Sequence, residues 1–184
     1  MESGESSYRR FLEGDEDGLL ELVRQYSDGL LLFLYGMVHD LSLAEELTED
    51  TFAELVLHRG RFRGEASLKT YLYRIGRNQA LNALKKQSRL TLLPIEEAAA
   101  IADIRSLEDT VLRTERRRRV REGMEQLAPA YREVLYLLYF EELSYAQTGA
   151  VMRKSEKQVK NLAYRARQAL KAVLQKEGWK DEDL

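Results

Sequence analysis

The sequence contains no cysteine, which excludes a disulfide framework, a thiol nucleophile and thiolate-bound zinc. It has two histidines, His39 and His58, too few for a histidine-rich metal site. Two prolines in 184 residues leave room for long uninterrupted helices. No run of 18 apolar residues occurs, so no membrane span is readable. The start, MESGESSYRRFLEGDEDG, is acidic and polar and lacks the order of a signal peptide. A cytoplasmic location is the expectation. What is present, 44% hydrophobic and 33% charged residues, suits a soluble helical protein rather than a disordered one.

The formal net charge of -2 hides strong segregation. Residues 1–57 carry 3 basic and 14 acidic side chains, a net of -11. Residues 58–89 carry 9 basic and 1 acidic, a net of +8. Residues 90–152 carry 8 and 11, a net of -3, and residues 153–184 carry 9 and 5, a net of +4. Two basic blocks of this kind can face phosphate while acidic blocks face a basic partner; charged helix faces in water are the other reading.

Apolar residues recur at helical steps of three and four almost throughout. They run from Leu19 through Leu22, Val23, Tyr26, Leu30 and Phe33 to Met37. Ser42 with Glu45 has the pattern of a capping box for a second helix, with Phe52, Leu55 and Val56 on its stripe and Gly60 as its stop. Arg61 to Ala66 reads as a loop, and Ser67 as the cap of a third helix. Residues 87–105 lose the period and hold Pro94, as a linker does. Ser106 with Asp109 can cap a helix through the arginine run 116–119, and Pro129 opens another. Ser144 can cap a short helix, and Ser155 with Gln158 a longer one. No strand pattern competes. The predicted fold is all-α: two small helical domains joined by a flexible linker, with boundaries 1–88, 89–107 and 108–184.

The last two helices form a helix-turn-helix pattern. Ala146, Gly149 and Ala150 permit a close crossing, and Val151, Val159 and Leu162 can fill the junction. Steps of three and four put Lys157, Asn161, Tyr164 and Gln168 along one face, flanked by Lys160 and Arg165. Such a helix can lie in a major groove, where Asn and Gln read base edges and Lys and Arg hold phosphate or guanine. An ordinary amphipathic hairpin has the same spacing.

Between Arg59 and Arg89 basic residues alternate with Phe62, Tyr71 and Tyr73, the mixture that binding of unstacked bases needs. The loop 61–67, with Gly64 and Ser67, could line a pocket for a flipped base. Spacing favours the core for Tyr71. The preceding helix is acidic at Glu45, Glu46, Glu49, Asp50 and Glu54. Its like-charge pairs one turn apart each cost roughly 0.2–0.5 kcal/mol in an isolated helix. A basic protein partner would account for them, as would a solvated acidic face.

The stretch AEELTEDTFAELVLHRGRFRGEASLKTYLYRIGRNQALNALKK resembles region 2 of bacterial RNA polymerase sigma factors, of the small extracytoplasmic-function type. The stretch LAPAYREVLYLLYFEELSYAQTGAVMRKSEKQVKNLAYRARQALK resembles region 4 of the same group. They come in the family's order, cover about residues 8–174 with their linker, and leave no counterpart of region 3. The resemblance implies a role in transcription initiation without covalent chemistry, so no catalytic residue, metal or cofactor is expected. It implies that Glu46, Glu49, Asp50, Phe52 and Leu55 dock on the clamp coiled coil of the polymerase β′ subunit. It assigns Phe62, Arg63, Gly64, Ser67, Lys69, Tyr73, Arg77, Asn78 and Asn82 to the promoter -10 element, which they help to open. It assigns Lys157, Lys160, Asn161, Tyr164 and Arg165 to the -35 element. Implied partners are core RNA polymerase (β′ clamp coiled coil and β flap), promoter DNA and an anti-sigma factor, in many members membrane-bound.

This sequence departs from the family at Tyr71, where tryptophan is frequent, at Arg153, which replaces a turn glycine, and at Gly149, which replaces an alanine. Two other classes of function are weighed against this reading. A promoter-binding regulator would use only the helix-turn-helix and would leave 61–86 unexplained. An enzyme built on a carboxylate pair such as Glu45 and Glu49 would need a metal or histidine that no helical step supplies.

Overall fold

The structure of the protein is a computed structural model that describes residues 4–90 and 115–179, with side chains for all of these except 89, 90 and 115–119. Eight helices occur among the described residues. The N-terminal half holds α1 (Gly4–Leu12), α2 (Glu16–Val38), α3 (Leu41–Leu57) and α4 (Leu68–Leu90). The C-terminal half holds α5 (Glu115–Glu125), α6 (Pro129–Tyr139), α7 (Tyr145–Met152) and α8 (Glu156–Lys176). No strand occurs among the described residues, as the helical periodicity predicts. Residues 91–107 of the expected linker, and the Ser106–Asp109 cap, lie outside the described residues. None of the described helices is long and apolar enough to cross a membrane.

In the N-terminal half, α2, α3 and α4 pack on one another, and α1 lies across α2. Leu22, Leu30, Leu34, Leu55, Leu68 and Leu72 are fully buried between them. Each contributes about 1.5–3 kcal/mol relative to exposure. α1 lies in a stretch where sequence reading placed no helix. Its Tyr8 and Phe11 are core residues, and Arg10 ties it to α2 through Asp15 at 2.7 Å and Glu21 at 2.8 Å. The second predicted helix starts two residues earlier than Ser42 suggests. Asp40 is the N-cap, its carboxylate accepting from the Leu43 amide at 3.0 Å, and Ser42 lies inside the first turn. A carboxylate at the N-cap also favours the positive end of the helix dipole. In the C-terminal half, α6 and α7 pack on α8, and Pro129 opens α6 as expected. The two halves touch: α4 packs against α7, and α2 against α6.

Candidate nucleic-acid interface

Both caps of the helix-turn-helix form as the sequence predicts. The Ser144 hydroxyl accepts from the Gln147 amide at 3.2 Å, and the Gln147 side chain accepts from the Ser144 amide at 2.8 Å. Ser155 and Gln158 repeat the device at 3.3 and 2.8 Å. Between them Arg153 takes a left-handed conformation at φ 55°, and the Lys154 amide donates to the Gly149 carbonyl at 2.9 Å. A Cβ on Gly149 would stand 2.5 Å from the Lys154 carbonyl oxygen. The glycine is therefore needed at the helix crossing. The turn itself is made by an arginine, at a strain of roughly 1–2 kcal/mol. Lys157, Lys160, Asn161, Tyr164 and Arg165 are all exposed along α8. The Lys160 ammonium bonds the Glu156 carboxylate at 2.6 Å, which raises its pKa.

The loop before α4 leans on α1. The Tyr8 hydroxyl accepts from the Gly60 amide at 3.2 Å, and Phe62 meets the Tyr8 ring edge-on at 5.5 Å. Phe62 also packs on Tyr71, 5.4 Å away, so it is half-buried. Arg63 and Gly64, at φ 73°, are exposed at the loop tip. Ser67 caps α4 by accepting from the Thr70 amide at 3.2 Å, and Glu5 accepts from the Leu68 amide at 3.0 Å. Two of the helix's unpaired amides are thus satisfied, one of them from 63 positions upstream. Asn78 is half-buried and Asn82 exposed farther along α4.

Lys69, Tyr73 and Arg77 stand four apart, on one face of α4, and that face is covered by the C-terminal half. Tyr73 has 0% exposure. The Lys69 ammonium lies 2.8 Å from a Glu141 carboxylate oxygen and donates to the Glu141 carbonyl at 2.7 Å. The Arg77 guanidinium pairs with Glu133, and the two side chains are only 11% and 9% exposed. Tyr136 donates to the Gly29 carbonyl at 3.2 Å, and the Gln147 amide to Ser67 at 3.3 Å. Burial first, and then the Glu141 charge, push the Tyr73 and Tyr136 hydroxyls above the ordinary tyrosine range. Tyr71, by contrast, is half-buried, with Arg74 5.6 Å from its ring.

On α3, Glu46, Glu49 and Asp50 are exposed, whereas Phe52 and Leu55, at 8% and 1%, point inward and hold the helix to the core.

The Sigma-70 region 2 family model matches residues 22–90, and the Sigma-70 region 4 model matches residues 117–170. The RNA polymerase sigma-H factor of Pseudomonas aeruginosa is 31% identical over 184 residues, covering 95% of either chain. The chain belongs to the sigma-70 family. The ECF RNA polymerase sigma factor SigM of Bacillus subtilis is 28% identical over 153 residues, which cover 83% of this chain and 93% of SigM. Promoter recognition for RNA polymerase is accordingly the role of this sigma factor, and its type is the extracytoplasmic-function one. CnrH, solved with the cytosolic domain of CnrY, shares its fold with a TM-score of 0.68 at 19% identity, over 94% of this chain and 97% of that one. The sigma factor RpoE of Bartonella quintana, solved with the anti-sigma factor NepR, gives 0.63 at 19% identity, over 84% and 95%.

Three features of this sigma factor escaped sequence reading. Leu57 is 77% exposed and continues the outer face of α3 after Glu46, Asp50 and Ala53, a helical spacing that was legible. Glu5 acts on α4 from a distance no local pattern reveals. Glu133 and Glu141 stand eight residues apart, like Lys69 and Arg77, and pair with them in reverse order.

Proposed function

We propose that this sigma factor binds core RNA polymerase through the outer face of α3, holds the -10 non-template strand on the loop 61–67 and α4, and reads the -35 duplex with α8. Glu46, Glu49 and Asp50 are the docking charges, Leu57 adds an apolar contact beside them, and Phe52 and Leu55 keep the helix in place. Phe62, Arg63, Gly64, Ser67, Lys69, Tyr73, Arg77, Asn78 and Asn82 form the -10 surface. Lys157, Lys160, Asn161, Tyr164 and Arg165 form the -35 surface. The observation that carries the reading is the exposed polar face at the N-terminal end of a capped recognition helix, in a chain that also matches region 2. The protein is a specificity subunit; nucleotide addition belongs to the polymerase. It works in the cytoplasm with an anti-sigma factor as its other partner, a reading supported by the fold it shares with a chain solved in such a complex. Where that partner is membrane-bound, the resting protein is held at the membrane.

Reconstitution tests this. The purified protein mixed with core polymerase should form a stoichiometric complex that initiates, from a genomic promoter library, at a shared pair of elements. No complex, with duplex binding by the protein alone, would leave a helix-turn-helix regulator instead.

A further inference from the structure

We infer that α1, which lies before the residues matched by the region 2 model, is the positioning element of the -10 loop: Glu5 and Tyr8 fix the two ends of 61–67 in the shape that takes the unstacked strand. This rests on the assignment of that loop to the -10 strand. The loop makes little structure of its own. Among the described residues no backbone–backbone hydrogen bond reaches 62–66. Gly60 just before the loop and Gly64 within it have positive φ, 82° and 73°. Such a segment samples many shapes unless its ends are held. Both ends are held from one side of α1. The Tyr8 hydroxyl accepts from the Gly60 amide at 3.2 Å, and the Glu5 carboxylate accepts from the Leu68 amide at 3.0 Å. Glu5 and Tyr8 are three residues apart and so share a helical face. Between the two ends the Tyr8 ring supports Phe62, and the Arg59 guanidinium lies 4.5 Å from the centre of the Phe11 ring.

α1 can serve as an anchor because it is itself fastened to α2. The Ser7 hydroxyl donates to the Glu21 carboxylate at 2.8 Å, and Arg10 pairs with Glu21 and Asp15. The two helices meet at Gly18, where a Cβ would stand 2.4 Å from the Ser7 carbonyl oxygen and 2.8 Å from the Phe11 amide nitrogen. A core role for α1 needs only the buried rings of Tyr8 and Phe11. It does not need the Tyr8 hydroxyl, nor the carboxylate of Glu5, which is an exposed residue. Those two polar groups end instead on the amides that flank the loop. A carboxylate beside a strand-binding surface repels phosphate, so the bond it accepts, and not its charge, explains its place. A loop ordered before the strand arrives loses less freedom when the strand binds. Glu5 and Tyr8 are thus positioning residues that act on DNA through the loop.

Holoenzyme reconstituted with core polymerase, on a promoter recovered from the genomic library, tests this. Glu5→Ala with Tyr8→Phe removes both bonds and keeps an aromatic ring at position 8. It should slow opening, read by permanganate reactivity of the -10 thymines. It should also lower the preference for the recovered -10 element over a scrambled one about tenfold or more, the loss expected for two hydrogen bonds. Core-polymerase binding and -35 duplex binding should not change. Glu5→Gln, whose amide oxygen can still accept from Leu68, should match the parent protein, whereas Glu5→Ala alone should not. Equal loss in both would make the charge the cause and overturn the inference. Glu5 is exposed, so these single variants fold even where the double variant does not. A spin label at Glu65→Cys, an exposed loop position in a chain without native cysteine, should become more mobile in the double variant; unchanged mobility overturns the inference. Arg63→Glu, at the loop tip, separates the inference from the strand assignment. If it impairs opening while the double variant opens as the parent does, the assignment holds and the positioning role is wrong. If it opens as the parent does while the double variant frees the label, the assignment fails, and the inference with it.

Discussion

α8 carries its candidate DNA side chains on a bare face, whereas on α4 Tyr73 is buried and Lys69 and Arg77 pair with Glu141 and Glu133 of the C-terminal half. Both helices are basic, both are capped by serine and both bury an apolar stripe. They differ in what lies opposite. α8 turns its apolar side to α6 and α7 of its own half, through Val159, Ala163 and Ala166, and its polar side to solvent. α4 is sandwiched: Leu68 and Leu72 go to the N-terminal core, Tyr73 lies at the seam with its ring 5.3 Å from Phe33 of α2, and Lys69 and Arg77 pair with the other half. Helical periodicity tells which face is apolar. It does not tell whether a second layer covers the polar one.

The largest expected effect tests the open helix. Asn161→Ala with Arg165→Ala should lose about 2–6 kcal/mol of discrimination between a -35 element and scrambled duplex, at 1–3 kcal/mol for each base-reading side chain. Core-polymerase binding and single-strand binding should be unchanged. A footprint identical to that of the parent protein would remove the recognition-helix assignment.

Next comes the covered helix. Gly29→Ala should cost about 1–3 kcal/mol through overpacking against Tyr73 and, across the seam, the Glu141 carboxylate. Calorimetry should then show the two halves melting separately; a single transition at the parent temperature would mean that Tyr73 and Glu141 yield freely.

The same interface should respond to alkali. A hydroxyl whose pKa is raised on folding contributes stability below its unfolded value, near 10, and that stability is lost as pH rises through the folded value. Tyr73 and Tyr136 should therefore form tyrosinate later than the other tyrosines, by ultraviolet absorbance, and the halves should part as they do. Simultaneous ionisation of all ten tyrosines would contradict their burial.

On the third surface, Asp50→Arg and Leu57→Asp should each weaken polymerase binding about tenfold, or about 1.4 kcal/mol, with the melting temperature kept because both side chains are exposed. Undiminished affinity would remove α3 from the docking surface. The smallest effect is expected at the turn. Arg153→Gly should relieve left-handed strain and raise stability by about 0.5–1 kcal/mol, since the greater entropy of glycine in the unfolded chain offsets part of the gain. A destabilised variant would show that the arginine side chain contributes more than its backbone loses.

Much of this was legible because it is local. The caps at Ser67, Ser144 and Ser155, and Pro129 at a helix start, depend on residues within one turn of each other, and all four occur. Asp40 displaced Ser42 as a cap because two neighbouring signals competed and the carboxylate, two residues earlier, accepts from the Leu43 amide. α1 was missed because only Tyr8 and Phe11 mark its apolar side, too few for a period. Phe52 and Leu55 were assigned to docking with their acidic neighbours, although helical geometry turns them to the opposite face.

The amino-acid sequence by itself determined the helical class, the order of the two sigma regions, the segregation of charge and the recognition helix with its caps. All of these follow from periodicity, composition and contacts within a few residues. Only the tertiary structure decided which of the two basic surfaces is open. It placed Glu133 on Arg77, Glu141 on Lys69 and the Tyr136 hydroxyl on the Gly29 carbonyl. Those pairs lie 56, 72 and over a hundred residues apart, and no local propensity acts over such separations. Burial and charge pairing between whole layers choose them.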